Sequence, residues 1–307
     1  ADLVFATRTP LTIALPGVYA SRRQKVPMVF EVRDLWPEVP IAMGALRNPV
    51  MIKAAYLLES FAVRNSEAFI TLFDRAKTSL LKKGIDDKRI TVIPNGSDLE
   101  TFSSSRDRKI RERFQLRSET ILIVYAGTFG RVNGVDYIVD LAKQLETDKR
   151  FCFLLIGDGA EKDRILDRAK YYRIFNKNIF FLDKVIKSQI VDYLAAADVA
   201  ISTVMPLKIL EADSANKVFD GLAAGKMIAV NHGGDLTQII EDSGAGMQLN
   251  ADVTVAARQF QELADHPERI EHAKVAAQKL AADRFSRDML AEKLEKFLVQ
   301  AITSYAN

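Results

Sequence analysis

From Thr120 to about residue 250, short uninterrupted apolar runs alternate with longer amphipathic stretches. The runs are Ile121–Tyr125, Phe151–Ile156, Ile179–Leu182, Val199–Ser202, Met227–Val230 and Gly246–Leu249. Helical patterns fill the gaps, starting near Gly134, Glu161, Lys187, Ser214 and Leu236. A strand that is apolar at every position has no face for water and must be covered on both sides. Such strands separated by helices predict a parallel sheet between two helical layers, a doubly wound α/β fold. Ligands of these sheets bind outside the carboxyl ends of the strands, near the switch in strand order. Gly127-Thr-Phe-Gly130, Gly157-Asp-Gly159 and the segment before Ser214 all fall at that edge. Sharing one edge, they predict a single nucleotide site more readily than three unrelated turns.

The densest signal is Ser214-Ala-Asn-Lys-Val-Phe-Asp-Gly-Leu-Ala-Ala-Gly-Lys226. Ser214 is a favourable N-cap, Val218, Phe219, Leu222 and Ala223 share one helical face, and Gly225 stands where the helix stops. Free N–H groups and the positive end of the helix dipole attract anions at such a start. Lys217 adds a full charge, and Asp220 follows one turn on. Phosphate on Lys217 and ribose hydroxyls on Asp220 would suit a nucleoside diphosphate. A capped surface helix with a solvated Lys–Asp pair explains the same residues, and the segment alone leaves both open.

Residues 1–104 read as part of another α/β unit, with strands at Leu3–Ala6, Met28–Val32, Ala68–Leu72 and Ile90–Ile93 and helices from about Leu11, Pro49 and Asp74. The Ser- and charge-rich stretch 103–118 has the composition of a linker or short surface helix. A second domain over 105–286 follows, and 287–307 is a closing helix with Leu290, Leu294, Phe297, Leu298 and Ile302 on one face. Hydrophobic content of 48% with 27% charged residues predicts a packed globular chain, and a net charge of +3 makes no case for nucleic acid. The single Cys152 sits in an apolar run, offers no disulfide framework or Cys-based metal site, and points to the cytoplasm. No apolar run reaches transmembrane length. The first strand begins almost at Ala1. We therefore expect a chain cut within its first domain, with an exposed sheet edge and apolar face that drive self-association into a homo-oligomer or leave that domain partly mobile.

Six motifs occur in order: Val32-Arg-Asp-Leu-Trp-Pro-Glu38, Val92-Ile-Pro-Asn-Gly-Ser-Asp98, Tyr125-Ala-Gly-Thr-Phe-Gly130, Leu155-Ile-Gly-Asp-Gly159, Ala196-Ala-Asp198 and Asn216-Lys-Val-Phe-Asp-Gly-Leu-Ala-Ala-Gly225. Singly weak, together they resemble glycosyltransferase family 4, the retaining, nucleotide-sugar-dependent group of the GT-B fold. The first motif is similar to that of its O-antigen and capsule amino-sugar transferases. The resemblance implies two Rossmann-like doubly wound domains, the N-terminal one incomplete, with the final helix crossing back to it. It implies donor contacts at Gly127, Thr128, Gly130, Arg131, Gly157, Asp158, Lys184, Val185, Glu211, Asp213, Ser214, Asn216, Lys217 and Asp220. Lys217 would act on the leaving diphosphate and Asp34 on the reacting sugar or the acceptor; a turn or N-cap role explains Asp34 equally. Trp36 fits a sugar platform less well than packing, and His232 fits a polar turn better than a donor contact.

Two departures stand out. Where many members carry an Arg and a Lys after the first donor-domain strand, this chain has Thr128 and Asn133. Of the family's paired glutamates, Asp220 stands for the second, and Ala212, between Glu211 and Asp213, for the first.

The implied activity is a metal-independent, hexosyltransferase-type transfer in polysaccharide biosynthesis. The sugar, an N-acetylated amino sugar, moves from a UDP-type nucleotide-sugar to a saccharide or undecaprenyl-diphosphate-linked acceptor. No cofactor is implied beyond this co-substrate, and no cluster of carboxylates or His has metal-ligand spacing. The acceptor would lie at the cytoplasmic face of the inner membrane. Val50–Val63, apolar with Lys53 and Arg64 at its edges, could contact that membrane peripherally, although a core helix fits better. A nucleotide-sugar epimerase of the same architecture and a non-catalytic nucleotide-sugar-binding fragment remain as alternatives.

Overall fold

The computed structural model describes residues 1–8, 10–103, 109–212 and 214–306. The chain divides into two compact units, one of Ala1–Asn95, Leu207–Ser214 and Asp288–Asn307, the other of Gly96–Pro206 and Ala215–Arg287. Along the chain the elements are β1 (Val4–Thr7), α1 (Ala14–Gln24), β2 (Met28–Val32), α2 (Glu38–Ala42), α3 (Pro49–Arg64), β3 (Ala68–Thr71), α4 (Asp74–Lys82) and β4 (Ile90–Val92). There follow α5 (Leu99–Ser103), α6 (Lys109–Arg113), β5 (Ile121–Ala126), α7 (Asp136–Gln144), β6 (Phe151–Ile156), α8 (Lys162–Tyr171), β7 (Ile179–Leu182) and α9 (Lys187–Ala196). The chain closes with β8 (Val199–Ser202), α10 (Asn216–Ala223), β9 (Met227–Val230), α11 (Asp235–Asp242), β10 (Gly246–Gln248), α12 (Val253–Asp265), α13 (Pro267–Arg284) and α14 (Arg287–Ala306).

The first unit holds a parallel four-stranded sheet in the order β1-β2-β3-β4. Alternation along β2 and β3 sends Phe30 and Phe69 into a core with Ala14, Val18, Ala76 and Leu80 from α1 and α4. It sends Val29, Ala68 and Ile70 the other way, against Leu290, Leu294, Phe297 and Ala301 of α14. The apolar stripe of α14, expected to cross back onto this unit, covers that face. β1 remains an edge strand, with Phe5 42% exposed.

The second unit is a parallel six-stranded sheet in the order β10-β9-β8-β5-β6-β7. Odd positions of β5 (Ile121, Ile123, Tyr125) pack with α7 and α12, and even positions (Leu122, Val124) with α9, α10 and α13. Covered on both faces, the sheet explains why its strands are apolar throughout. Within the stretch read as a linker or short surface helix, Lys109–Arg113 is helical. In α6, Ile110 is buried, and Arg111 donates to the Thr120 carbonyl and, at 3.1 Å, to Asp198.

Asp198 anchors the amino-terminal edge of this sheet. One carboxylate oxygen accepts from the Leu122 amide at 2.9 Å and from Arg111, and the other accepts from Lys274 at 3.0 Å. Burial pushes this carboxyl up, but Lys274, the Leu122 amide and Arg111 together hold it below the usual carboxylate range.

Candidate active site

Strand order reverses at β5, with β6 and β7 on one side and β8, β9 and β10 on the other. At the carboxyl ends of β5 and β8 lies a cavity of about 480 Å³, within the range of small-molecule sites. Its floor is apolar, from Val124, Ile156, Ile190, Leu194, Ala200 and Ile201.

The turns after β5 and β6 approach so closely that one position admits only glycine. A Cβ built on Gly157 would lie 1.9 Å from the Gly127 carbonyl oxygen. The approach is held by Gly127 N–H donating to the Ile156 carbonyl at 3.0 Å and Phe129 N–H to the Asp158 carbonyl at 2.9 Å. The Tyr125 hydroxyl and Asn133 Nδ2 both donate to the Thr128 carbonyl at 2.7 Å. These bonds fix the loop where Thr128 and Asn133 replace cationic residues of the resembling family.

Positive charge comes instead from other walls. Lys217 Nζ lies 5.4 Å from the centroid of the Tyr125 ring, and Lys184 and Lys187 also line the cavity. Asp220 Oδ1 accepts from Ser97 Oγ at 2.8 Å and from Lys187 Nζ at 3.2 Å. The helix carrying Lys217 and Asp220 begins one residue later than its sequence suggests. Ala215, not Ser214, is the N-cap, and it brings no side-chain capping bond. Gly225, with φ 63°, closes the other end as read.

Of the residues expected at the donor, Gly127, Thr128, Gly157, Asp158, Lys184, Val185, Asn216, Lys217 and Asp220 line this cavity. Gly130 and Arg131 lie in the same unit, at a short turn outside the lining. Asp213 lies outside the described residues. Glu211, Ser214 and Asp34 belong to the first unit. There Glu211 pairs with Arg75 at 3.5 Å, and the Ser214 carbonyl accepts from Asn95 Nδ2 at 2.7 Å. Asp34 follows β2 and is exposed. Arg8, at the end of β1 and 3% exposed, bonds Glu59 at 3.2 Å. Burial lowers the Arg8 pKa, against the opposing fields of Glu59, Glu38 and Asp34.

Trp36 is half-buried against the first unit's core. His232 is buried with Nδ1 2.8 Å from the Gly233 carbonyl and takes no part in the cavity. Among the described residues no group of His, Cys, Asp and Glu could hold a metal ion. Sequence reasoning missed Lys187 as a site residue, reading it only as a helix start. Its signal was a third cation near Lys184 at a βα junction on the ligand edge.

Residues 120–270 match the family model described as Glycosyl transferases group 1, and residues 1–96 match the Glycosyl transferase 4-like domain. In structure, Anabaena Alr3699/HepE in complex with UDP superposes with a TM-score of 0.78 at 17% identity, over 97% of this chain and 79% of that one. Together the two matched stretches cover most of the chain, and the fold is that of the GT-B glycosyltransferases. Sucrose-phosphate synthase from Thermosynechococcus elongatus shares the fold, with a TM-score of 0.79 at 15% identity over 99% of this chain and 74% of that one. Among curated relatives, a glycosyl transferase named for colanic acid biosynthesis in Escherichia coli (strain K12) is 22% identical over 50% of this chain. Glycogen synthase of Mycobacterium tuberculosis is 24% identical over 88% of it. The chain spans 39% and 63% of these two relatives' own lengths.

Proposed function

We propose that this glycosyltransferase moves a sugar from a nucleoside diphosphate donor held in the cavity of the second unit. One observation carries the reading: a cavity at the strand-order switch, with an apolar floor and Lys184, Lys187 and Lys217 on its walls. The floor suits a base, and the cations suit a diphosphate. The related HepE structures hold UDP and UDP-glucose, which supports a uridine nucleotide here. Breaking the bond between sugar and diphosphate leaves charge on the departing phosphate. Lys217 and the amino-terminal end of α10 would stabilise that charge without metal. Asp34 serves the reacting sugar or the acceptor. Retention, an N-acetylated amino sugar and a role in surface polysaccharide synthesis draw their support from the motif at Val32–Glu38 and its order with the donor motifs.

Titration of the intact chain with UDP and uridine tests the donor site. Lys217→Ala removes a charge-assisted bond, so UDP should bind roughly ten- to a hundredfold more weakly while uridine is little changed. Asp220→Ala should weaken both. Equal sensitivity of UDP and uridine to Lys217→Ala, or no binding of UDP by the intact chain, would refute the assignment. Product analysis separates transfer from epimerisation, because an epimerase converts free donor without an acceptor.

The reading extends to an acceptor at an anionic membrane surface. No described helix is long and apolar enough to cross a membrane. Yet α1 and α3 expose Leu15, Tyr19, Val50, Met51 and Leu57, and the core-helix expectation for Val50–Val63 holds for only part of its circumference. The exposed charges of both helices are all positive, at Arg22, Arg23, Lys53 and Arg64, since the acid Glu59 is buried. Apolar side chains flanked by cations alone complement anionic lipid. Sedimentation with phosphatidylglycerol vesicles, but not with phosphatidylcholine vesicles, should carry the chain down. Equal recovery with both would remove this part of the reading.

A further inference from the structure

The segment Pro94-Asn95-Gly96 links β4 to the second unit, and its Asn side chain acts as a bridge. The Asn95 side chain is half-buried and spoken for at both ends. Oδ1 accepts from Arg33 Nη2 at 3.2 Å, and Nδ2 donates to the Ser214 carbonyl at 2.7 Å. Arg33 in turn reaches Glu31 with Nη1 at 3.5 Å. The amide orientation is unambiguous, because flipping it would set donor against donor and acceptor against acceptor. All four residues belong to the first unit.

The relay ends at a consequential point in the chain. Ser214 directly precedes Ala215, which lines the cavity and is the N-cap of α10, and it lies just ahead of Asn216 and Lys217. Ala215 brings no side-chain capping bond of its own to the helix. The carbonyl held by Asn95 belongs to the peptide that enters its first turn. At its other end the relay holds Arg33, the neighbour of Asp34.

We infer that Asn95 is a positioning residue that sets the start of α10, and through it Lys217, for the diphosphate of the donor. This rests on the donor-site reading above. Asn95→Asp keeps the size and the Arg33 partner but turns an acceptor toward the Ser214 carbonyl. Asn95→Ala removes both bonds and leaves Gly96 in place.

The test titrates the intact chain and both variants with UDP and with uridine and records thermal melting of each. Loss of the bond to the Ser214 carbonyl, common to both variants, predicts a roughly three- to tenfold weaker affinity for UDP, with uridine within twofold of the parent. Equal factors for the two ligands, or no change in either, overturn the inference. If one variant fails to fold, the ratio of the two affinities in the other decides. An intact chain that binds UDP no better than uridine fails at the donor site itself and takes this inference with it. A preference for UDP that Lys217→Ala abolishes and the Asn95 variants leave untouched sinks the inference alone.

Discussion

Gly157→Ala probes the closest approach in the site. The new Cβ would lie 1.9 Å from the Gly127 carbonyl oxygen and 3.0 Å from Phe129 Cε2. A carbon–oxygen contact settles near about 3.3 Å, so one turn must retreat by about 1.4 Å. The Gly127–Ile156, Phe129–Asp158 and Gly157–Leu182 backbone bonds, at 3.0, 2.9 and 3.1 Å, stand in the way of that retreat. Overpacking costs about 1–3 kcal/mol, and one or two lost bonds about 1 kcal/mol each, for a total of about 2–5 kcal/mol. For a unit of this size that corresponds to a fall in Tm of about 5–15 °C. The displaced residues include Gly127, Thr128 and Asp158, so UDP affinity should fall as well. Gly130→Ala is the control: its nearest neighbour would be Asn133 Nδ2 at 3.5 Å and its φ of −104° suits any residue. It should shift stability by no more than about 0.5 kcal/mol. Calorimetric melting and titration with UDP read both variants. A Gly157→Ala protein that melts and binds like the parent would refute the claim that these turns are held at contact distance.

Asp198→Asn should cost about 2–3 kcal/mol in urea unfolding, because Lys274 and Arg111 lose a partly buried anionic partner. The folded-state pKa of Asp198 is depressed, so its contribution is complete above the unfolded value, about 3.9, and is lost as pH falls through the lower folded value. The gap between parent and variant should therefore close below about pH 4; a constant gap would show that charge is not the cause. Burial pushes the Cys152 thiol up to about 12, so iodoacetamide at pH 8 should label it only as fast as the second unit opens, a rate that urea should raise. Glu59 accepts from both Arg8 and Lys83, at 3.2 and 2.6 Å, so Glu59→Gln should destabilise by about 3 kcal/mol. Adding Arg8→Leu should recover part of that loss; strict additivity in urea melts would argue against a coupled buried pair.

The central strands were legible because burial on both faces leaves their composition no freedom. β6 was read at Phe151–Ile156 and β8 at Val199–Ser202, and both stand at those bounds. Elements without such pressure were not. Glu38–Ala42 is too short for its period to register, and the charge of Lys109–Arg113 left linker and short surface helix both open, although Ile110 is buried. The glycine turns and Lys217 announced the cavity because backbone approach and helix starts leave local marks. Lys187 left a weaker one. The bridging role of Asn95 left none, since Arg33 and Ser214 are 62 and 119 residues away and no local pattern encodes a contact at that separation.

The assignment of Leu207–Ser214 to the first unit bears on any attempt to exchange donor preference between related enzymes. A transplanted block running from Gly96 to Arg287 would carry this strap into a foreign host. Leu210, 6% exposed here, would then need a new apolar seat. Glu211 would meet whatever the recipient places at the position of Arg75, and the Ser214 carbonyl whatever it places at Asn95. Such a chimera inherits α10 but not what holds the strap leading into it. Grafts that bring Arg33, Arg75 and Asn95 along with the block should keep nucleotide affinity where simple cut-and-paste versions lose it.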